Sequence, residues 1–320
     1  MTAITEAPLS FDRTVDPREV WSLAPETTFV TDWHYDRDHE VFEIATRLPR
    51  AHLRYSDTPN PYPDIVLLSQ LASQAGVIVV AELLDVSLDS TFLLRRLAIT
   101  LDPLEANVVS RDATRFTLTT DREGTWFKTR RTGTPPTGSM IARCALEGRP
   151  SGTLEVQGIW VDDRTYEIYR RMGGSVEPEP LPAEAADPEP HTGRSLPRNR
   201  AVSRLQDGEG PGRYAGTVLV DEDDPTFYER PLDHVPGLLL LDAAKQATIA
   251  AVCRERSVPA SRVVVDSAEF LFSRFAELHA PVHCHVDVSG GLRAVKSECT
   301  QGGRAVCKAN LKATVLDGDN

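Results

Sequence analysis

The chain contains an internal repeat, and this repeat constrains the fold more than any other feature of the sequence. The run IVLLSQLASQAGVIVV at residues 65–80 aligns without gaps with GLLLLDAAKQATIAAV at residues 237–252. A second pair of blocks follows, FLLRRLA at residues 92–98 and FLFSRFA at residues 270–276. Because both matches occur in the same order, the sequence predicts a duplicated structural unit rather than two apolar helices that are similar by chance.

The length of 320 residues also favours two domains. Between the repeats lies VEPEPLPAEAADPEP, whose prolines lack backbone donors and whose acidic side chains repel one another. We therefore predict an N-terminal domain at residues 1–172, an acidic, proline-rich linker at 173–204, and a C-terminal domain at 205–320. The stretch 177–190 is expected to be mobile and dispensable. The acidic residues of the linker and the basic residues that follow them, including Arg194, are expected to be solvated.

Both repeat helices are apolar almost all the way round, which predicts that protein surrounds each of them. The stretch 65–86 is interpreted as a buried helix and not a membrane span, because polar residues interrupt it. Alternating β-rich runs flank the helices at residues 28–34, 41–47, 115–120, 125–132 and 153–161, and at 214–220, 262–275, 282–288, 292–299 and 305–315. The predicted fold class is α+β, with two tandem hot-dog domains. In each, an antiparallel sheet curls around a central helix, and the two form a pseudo-dimer.

Composition excludes several classes of protein. The 47 acidic residues outnumber the 35 basic ones and give a formal charge of −12, so no nucleic-acid partner is expected. The five cysteines are scattered without a CxxC pair and are predicted to be reduced core thiols. Residues 1–18 lack the apolar run of a secretory signal. We expect a cytoplasmic protein with no membrane partner.

The segment FYERPLDHVPGLLLLDAAKQA, residues 227–247, resembles the signature of the A-factor (γ-butyrolactone autoregulator) synthase family. The first half is similar to that family in Arg50, Ala51 and His52, in LLSQLASQAG at 67–76, and in the strand that opens at Phe92. GIWVDDRTYEIYRRM, residues 158–172, resembles the family's end-of-domain pattern. The resemblance covers most of the chain outside the linker.

This resemblance implies an acyltransferase that joins a β-ketoacyl thioester to a dihydroxyacetone-phosphate-type acceptor. The product would be a butenolide phosphate, a precursor of a γ-butyrolactone signalling molecule. The implied partners are an acyl carrier protein or acyl-CoA and a small phosphorylated acceptor, with no cofactor. A homodimer is compatible with the sequence. The alternatives are a hot-dog dehydratase or thioesterase acting on an acyl thioester, or a non-catalytic descendant that binds an acyl group or a carrier protein.

The two halves differ where the family usually places Glu and Arg three residues apart on the helix. The first half has Gln70 and Ser73 there, and the second has Asp242 and Lys245. A carboxylate on an apolar helix is costly unless it has a partner or a task. The sequence therefore predicts that catalysis belongs to the second half, although a plain ion pair between Asp242 and Lys245 remains an alternative.

The predicted chemistry begins at the second helix, whose first-turn amides are unpaired and lie at the positive end of the helix dipole. The amides of Gly237 and Leu238 are expected to hold the thioester carbonyl. Asp242, with His234, is expected to remove the proton of the attacking hydroxyl, and Lys245 to hold the phosphate. These three are the catalytic candidates. The substrate-binding candidates are Gly237, Leu238, Gln246, Tyr228, Arg50, His52 and Gln70.

Two further patterns have a structural interpretation. Gln74 and Gln246 are matched in the repeat, and each is expected to form hydrogen bonds with the opposite domain. His283 and His285 lie on one face of a predicted strand, but no further ligands lie nearby in the sequence. A zinc site needs four ligands or three with water, so no metal is expected.

Overall fold

Two long helices, α1 (Ile65–Leu84) and α3 (Gly237–Arg256), occupy the positions of the sequence repeat. They belong to a computed structural model that describes residues 8–84, 90–110, 114–128, 136–174, 176–182 and 187–317. Ile65–Leu83 has the length and composition of a membrane span, but 78% of that stretch is buried inside the protein. The prediction of a buried central helix is therefore confirmed.

Besides short 3₁₀ helices, the remaining elements are strands and one short α-helix. In the first half the elements besides α1 are β1 (Val30–Asp36), β2 (Val41–Arg47), β3 (Thr91–Leu101), β4 (Arg115–Asp121), β5 (Thr125–Lys128), β6 (Thr137–Leu146), β7 (Arg149–Val161) and α2 (Asp163–Met172). In the second half the elements besides α3 are β8 (Gln206–Asp207), β9 (Arg213–Thr217), β10 (Val263–Phe272), β11 (His283–Asp287), β12 (Val295–Gln301) and β13 (Arg304–Val315). Strand β6 was not predicted. The predicted strand at 125–132 is described only to residue 128.

Within the described residues the strands form one continuous antiparallel sheet. Its order is β1-β2-β4-β6-β7-β3-β10-β13-β12-β11-β9-β8, and β5 pairs with β6. The halves join where β3 pairs with β10, from Thr100 opposite Ser267 to Arg96 opposite Leu271. The predicted α+β fold of two hot-dog domains, each with a sheet around a central helix, is confirmed.

Matched glutamines show how closely the halves repeat each other. Gln74 accepts a hydrogen bond from the Phe29 amide at 3.0 Å. Gln246 accepts one from the Ala201 amide at 2.8 Å. Each glutamine also donates a hydrogen bond to a backbone carbonyl of the same segment, that of Thr27 in the first half and that of Asn199 in the second. The prediction that these side chains contact the opposite domain is wrong, because each holds the segment that precedes the first strands of its own half.

One contact that crosses between the halves is also duplicated. Asp57, which precedes α1, accepts a hydrogen bond from the Leu196 amide at 3.1 Å. Glu229, which precedes α3, accepts one from the Ala24 amide at 3.0 Å. Asp57 and Glu229, at matched positions upstream of the two helices, therefore each contact the opposite half, and a pseudo-twofold symmetry relates the two contacts.

The segment after the acidic run packs against the second half. Glu189 is fully buried, and it accepts a hydrogen bond from Arg254 on α3 at 3.0 Å. Arg194 is only 4% exposed. The expectation of a solvated, dispensable connection is therefore corrected for these residues; residues 183–186 lie outside the described part of the chain. The domain boundaries stay a prediction, and we propose that the second half begins near Asp187.

Candidate active site

Asp242 lies at the centre of a buried cluster of charges. Its carboxylate has no exposed surface. One oxygen accepts a hydrogen bond from Arg54 at 2.7 Å, and the other lies 3.0 Å from both Arg194 and Lys245. Three cations from three different segments of the chain therefore contact one carboxylate.

Asp64 is the second carboxylate of this cluster and also caps α1. Its side chain accepts a hydrogen bond from the Val66 amide in the first turn at 2.9 Å. It also contacts Lys245 at 2.9 Å and Arg194 at 2.6 Å. With the contact between Arg54 and Asp224, the cluster has three acidic and three basic groups. We call it the charged site; it comprises Arg54, Asp64, Arg194, Asp224, Asp242 and Lys245.

The charges of this site make Asp242 a poor proton acceptor. Burial raises the pKa of the Asp242 carboxyl, but Arg194, Lys245 and Arg54 outweigh burial and hold that pKa well below its ordinary value. The Lys245 ammonium is likewise engaged by two carboxylates. These contacts disfavour the general-base role expected for Asp242 and the phosphate-binding role expected for Lys245.

The N-terminus of α3 differs from that of α1 because nothing caps it. Pro236 occupies the capping position and provides no side-chain hydrogen bond. The amides of Gly237 and Leu238 have no acceptor within the described residues. A Cβ atom added at Gly237 would lie 3.1 Å from the Phe272 ring, so the backbone passes close to β10. Two free amides at the positive end of a helix form a site for developing negative charge.

His234 lies three residues before these amides. Its Nδ1 atom is 2.7 Å from Asp233, which also accepts a hydrogen bond from Tyr166 of α2 at 2.6 Å. Arg170 contacts the same carboxylate at 3.0 Å. Burial lowers the pKa of His234, so the ring is neutral at neutral pH. With Nδ1–H directed at Asp233, Nε2 can accept a proton, and it has no hydrogen-bond partner in the described chain.

One cavity lies between the halves, at the charged site, and another lies within the first half. The lining of the cavity at the charged site includes Asp64, Lys245 and Val264. The cavity within the first half is lined by Ser73, which matches Lys245 in the repeat, and by Phe92. Because Lys245 contacts the start of α1, we infer from the repeat that its counterpart Ser73 lies toward the start of α3. We call this second assembly the open site; it comprises Asp233, His234, Gly237, Leu238, Gln70, Ser73 and the first-half cavity.

Comparison with known proteins gives the same family as the sequence. The model of the AfsA family, described as the A-factor biosynthesis hotdog domain, matches residues 4–162 and 192–317. The chain belongs to this family. A 2-oxo-3-(phosphooxy)propyl 3-oxoalkanoate synthase of Streptomyces griseus is 29% identical over 80% of this chain and 80% of its own. A synthase of the same name from Streptomyces virginiae is 26% identical over 83% of this chain and 84% of its own.

Solved structures resemble the fold more distantly. A 12:0-ACP thioesterase from Umbellularia californica is 12% identical, with a TM-score of 0.48. The match covers 86% of this A-factor family chain and 97% of the thioesterase. At this level of similarity the comparison does not bear on activity.

The structure distributes the other predicted site residues between packing and surface positions. Gln246 is fully buried and holds backbone of its own half, which disfavours contact with substrate. His52 Nδ1 accepts hydrogen bonds from the backbone amides of Arg54 and Tyr55, both at 3.2 Å, so this ring stabilises a turn. Arg50 is exposed.

Two predicted residues keep polar groups without partners. Gln70, the counterpart of Asp242, is half-buried and makes no side-chain hydrogen bond within the described residues. The hydroxyl of Tyr228 is buried and also has no partner there. Both stay candidates for substrate binding.

Sequence reasoning missed the residues that decide the chemistry of the two sites. Asp233 adjoins His234 in the DHVPG motif, so the motif itself could have indicated it. Asp64 stands directly before α1, where acidic residues cap helices. Arg54 and Arg194 gave no such signal, because they meet Asp242 only through the fold; Arg54 is 188 residues from it and Arg194 is 48.

Proposed function

We propose that this chain transfers a β-ketoacyl group from a thioester to the hydroxyl of a phosphorylated hydroxyketone of the dihydroxyacetone phosphate type. The product would be the ester that the names of its Streptomyces relatives give, a 2-oxo-3-(phosphooxy)propyl 3-oxoalkanoate. The observation that carries the proposal is the uncapped start of α3 beside the Asp233–His234 pair. Acyl transfer needs a base for the attacking hydroxyl and donors for the oxyanion, and the open site offers both.

In the proposed mechanism the thioester carbonyl oxygen lies at the amides of Gly237 and Leu238. His234 Nε2 accepts the proton of the acceptor hydroxyl while its oxygen attacks the carbonyl carbon. Asp233 holds the Nδ1–H and stabilises the imidazolium that forms. The new C–O bond then forms, the C–S bond breaks, and His234 returns the proton to the leaving thiolate. The products are the 3-oxoacyl ester and a free thiol.

The acceptor phosphate needs a cation that is not already neutralised. We propose Arg230 for this role because it precedes the start of α3 and corresponds to Thr58, which lines the cavity of the charged site. Its side chain is exposed, and one guanidinium nitrogen donates to the Trp21 carbonyl. The rest of its planar fork is free to bind a phosphate with two hydrogen bonds.

The charged site has a structural role in this proposal. It joins α1, α3 and the segments around Arg54 and Arg194 through groups whose charges balance. An acyl carrier protein or acyl-CoA would supply the thioester. The choice between these two donors, the homodimer and the cytoplasmic location stay predictions.

The test is product analysis with purified protein. A 3-oxoacyl thioester of N-acetylcysteamine is incubated with dihydroxyacetone phosphate, and ester and free thiol are quantified by mass spectrometry. We expect equal amounts of ester and thiol, and no ester when the acceptor is omitted. Release of thiol without ester would indicate a thioesterase. If neither the N-acetylcysteamine donor nor a carrier-bound donor reacts, the protein is a non-catalytic binder.

A further inference from the structure

The cavity of the open site has mainly apolar walls, and Trp160 is one of the residues that line it. It lies between α1 and strands β3, β6 and β7, and its lining includes Val77, Val80, Phe92, Phe127, Met140 and Trp160. Trp160 is 5% exposed, and its indole nitrogen has no acceptor within the described residues. Buried N–H groups normally have acceptors, since leaving one unpaired is destabilising. This donor therefore marks a place where a ligand atom can bind.

Neighbouring rings hold the indole in position. The ring centroid of Trp160 is 5.0 Å from that of Phe92 and 6.4 Å from that of Phe127. Glycines make room for these rings, because a Cβ atom at Gly158 would lie 2.1 Å from Phe92 and one at Gly138 would lie 2.3 Å from Phe127. A ring packed in this way cannot turn to find another acceptor, so its N–H stays directed at a fixed point.

The ligand must offer an oxygen on an otherwise apolar chain. An apolar cavity of this kind does not hold water well, because a bound water needs several polar partners. An indole N–H donates only, so it matches a ketone oxygen and gains nothing from a methylene group. Under the proposed function the acyl chain enters this cavity from the start of α3.

We propose that the indole N–H of Trp160 donates a hydrogen bond to the 3-oxo oxygen of the acyl chain. The open site thereby selects 3-oxoacyl donors over saturated ones. This inference rests on the proposed function for the identity of the ligand. A saturated chain fills the same space but leaves the donor buried and unpaired, which penalises its binding.

The test measures binding without turnover. Two pantetheine conjugates, 3-oxooctanoyl and octanoyl, carry an amide in place of the thioester, which blocks acyl transfer. Calorimetry should show that the wild-type protein binds the 3-oxo conjugate about 10- to 100-fold more tightly, the scale of one buried hydrogen bond. Trp160→Phe keeps the ring and removes the N–H, so it should weaken only the 3-oxo conjugate and abolish the preference. Trp126→Phe, at an exposed tryptophan, should keep the preference.

A second measurement needs no variant. In the wild-type protein, the ¹H–¹⁵N resonance of the Trp160 indole should move downfield with the 3-oxo conjugate and not with octanoyl. Equal affinities in the wild type, or equal weakening of both ligands by Trp160→Phe, would each overturn the proposal. The indole nitrogen of Trp21 is also buried without a partner in the described residues, and its ring lies 6.4 Å from that of Phe92. Loss of the preference in Trp21→Phe instead would assign the hydrogen bond to that residue and overturn the proposal as well. Because binding does not require transfer, a protein that keeps the preference but forms no ester would refute the proposed function alone.

Discussion

The N-terminus of α1 lies against Lys245 and Arg194, whereas the matched N-terminus of α3 presents two backbone amides that have no acceptor within the described residues. At the first, Asp64 caps the helix and neutralises the two cations. At the second, Pro236 leaves the helix uncapped, and His234 stands beside it. Duplication thus produced two equivalent places. In one the charges satisfy one another, and in the other we propose that the polar groups bind a substrate.

The comparison teaches that conspicuous charges on a helix do not by themselves identify the reactive site. Asp242 and Lys245 are buried and charged, and both are fully engaged by their neighbours. Their uncharged counterparts, Gln70 and Ser73, lie in the assembly that has an open helix start. Unsatisfied hydrogen-bonding groups are the better guide here, because catalysis requires groups that are free to bind reacting atoms.

The largest effect is expected from breaking the charged site. Arg194→Met removes one cation and leaves Asp64 and Asp242 under-neutralised in a buried setting. We expect the free energy of unfolding, measured in urea, to fall by about 3–5 kcal/mol. The matched control is Arg143→Met, which removes an exposed pair with Asp121 and should cost about 0–1 kcal/mol. Equal, small losses in both variants would show that the cluster is not structural.

The next effect concerns the pair beside α3. Asp233 raises the pKa of His234 through its hydrogen bond, although burial lowers that pKa overall. Asp233→Asn should reduce turnover by about tenfold or more, because the ring loses its orienting carboxylate. Because the variant also loses the hydrogen bond that raises the pKa of His234, that pKa should fall. Since the base must be deprotonated, the acidic limb of the pH–rate profile should also move to lower pH. A limb that stays in place or moves to higher pH would argue against His234 as the base.

A smaller effect is expected for stability at acidic pH. Arg194 and the other cations hold the folded-state pKa of Asp64 and Asp242 below the ordinary value, despite burial. Their contribution to stability is therefore complete above the unfolded pKa of about 3.9 and is lost as the pH falls below it. The stability gap between the wild type and Asp242→Asn should shrink between pH 5 and pH 3 in urea titrations. A constant gap would contradict the ion pairing.

The smallest effect concerns binding of the acceptor phosphate. Arg230→Gln should raise KM for dihydroxyacetone phosphate several-fold and leave KM for dihydroxyacetone unchanged, because only the first carries the phosphate. Steady-state kinetics with both acceptors test this directly. An equal rise for the two acceptors would assign Arg230 to another role.

Much of the fold was predictable from sequence, and the reasons are local. The repeat and the all-round apolar helices required a sheet around each helix, and the two helices begin where the repeat indicated. Strand β6 (Thr137–Leu146) escaped because its run of small and polar residues gives a weak alternating pattern.

The candidate site was only partly predictable. The DHVPG segment identified His234 and the start of α3, because the proline and glycine mark an uncapped helix entry. The sequence could not show that Arg54 and Arg194 approach Asp242, since those contacts depend on how the halves dock. Function was expected at Asp242 because an unpaired buried charge is costly. In the structure that cost is offset by ion pairs with Arg54, Arg194 and Lys245.

The central claim is that chemistry occurs at the start of α3 and not at Asp242. The most direct test compares single-turnover rates of ester formation for His234→Gln and Asp242→Asn at a temperature where melting curves show both to be folded. His191→Gln, at an exposed histidine, is the control. We predict that His234→Gln slows the acyl-transfer step by about 10²- to 10⁴-fold, the usual contribution of a general base, while folded Asp242→Asn stays within about tenfold of the wild type. Near wild-type transfer in His234→Gln together with a loss of that size in folded Asp242→Asn would contradict the account.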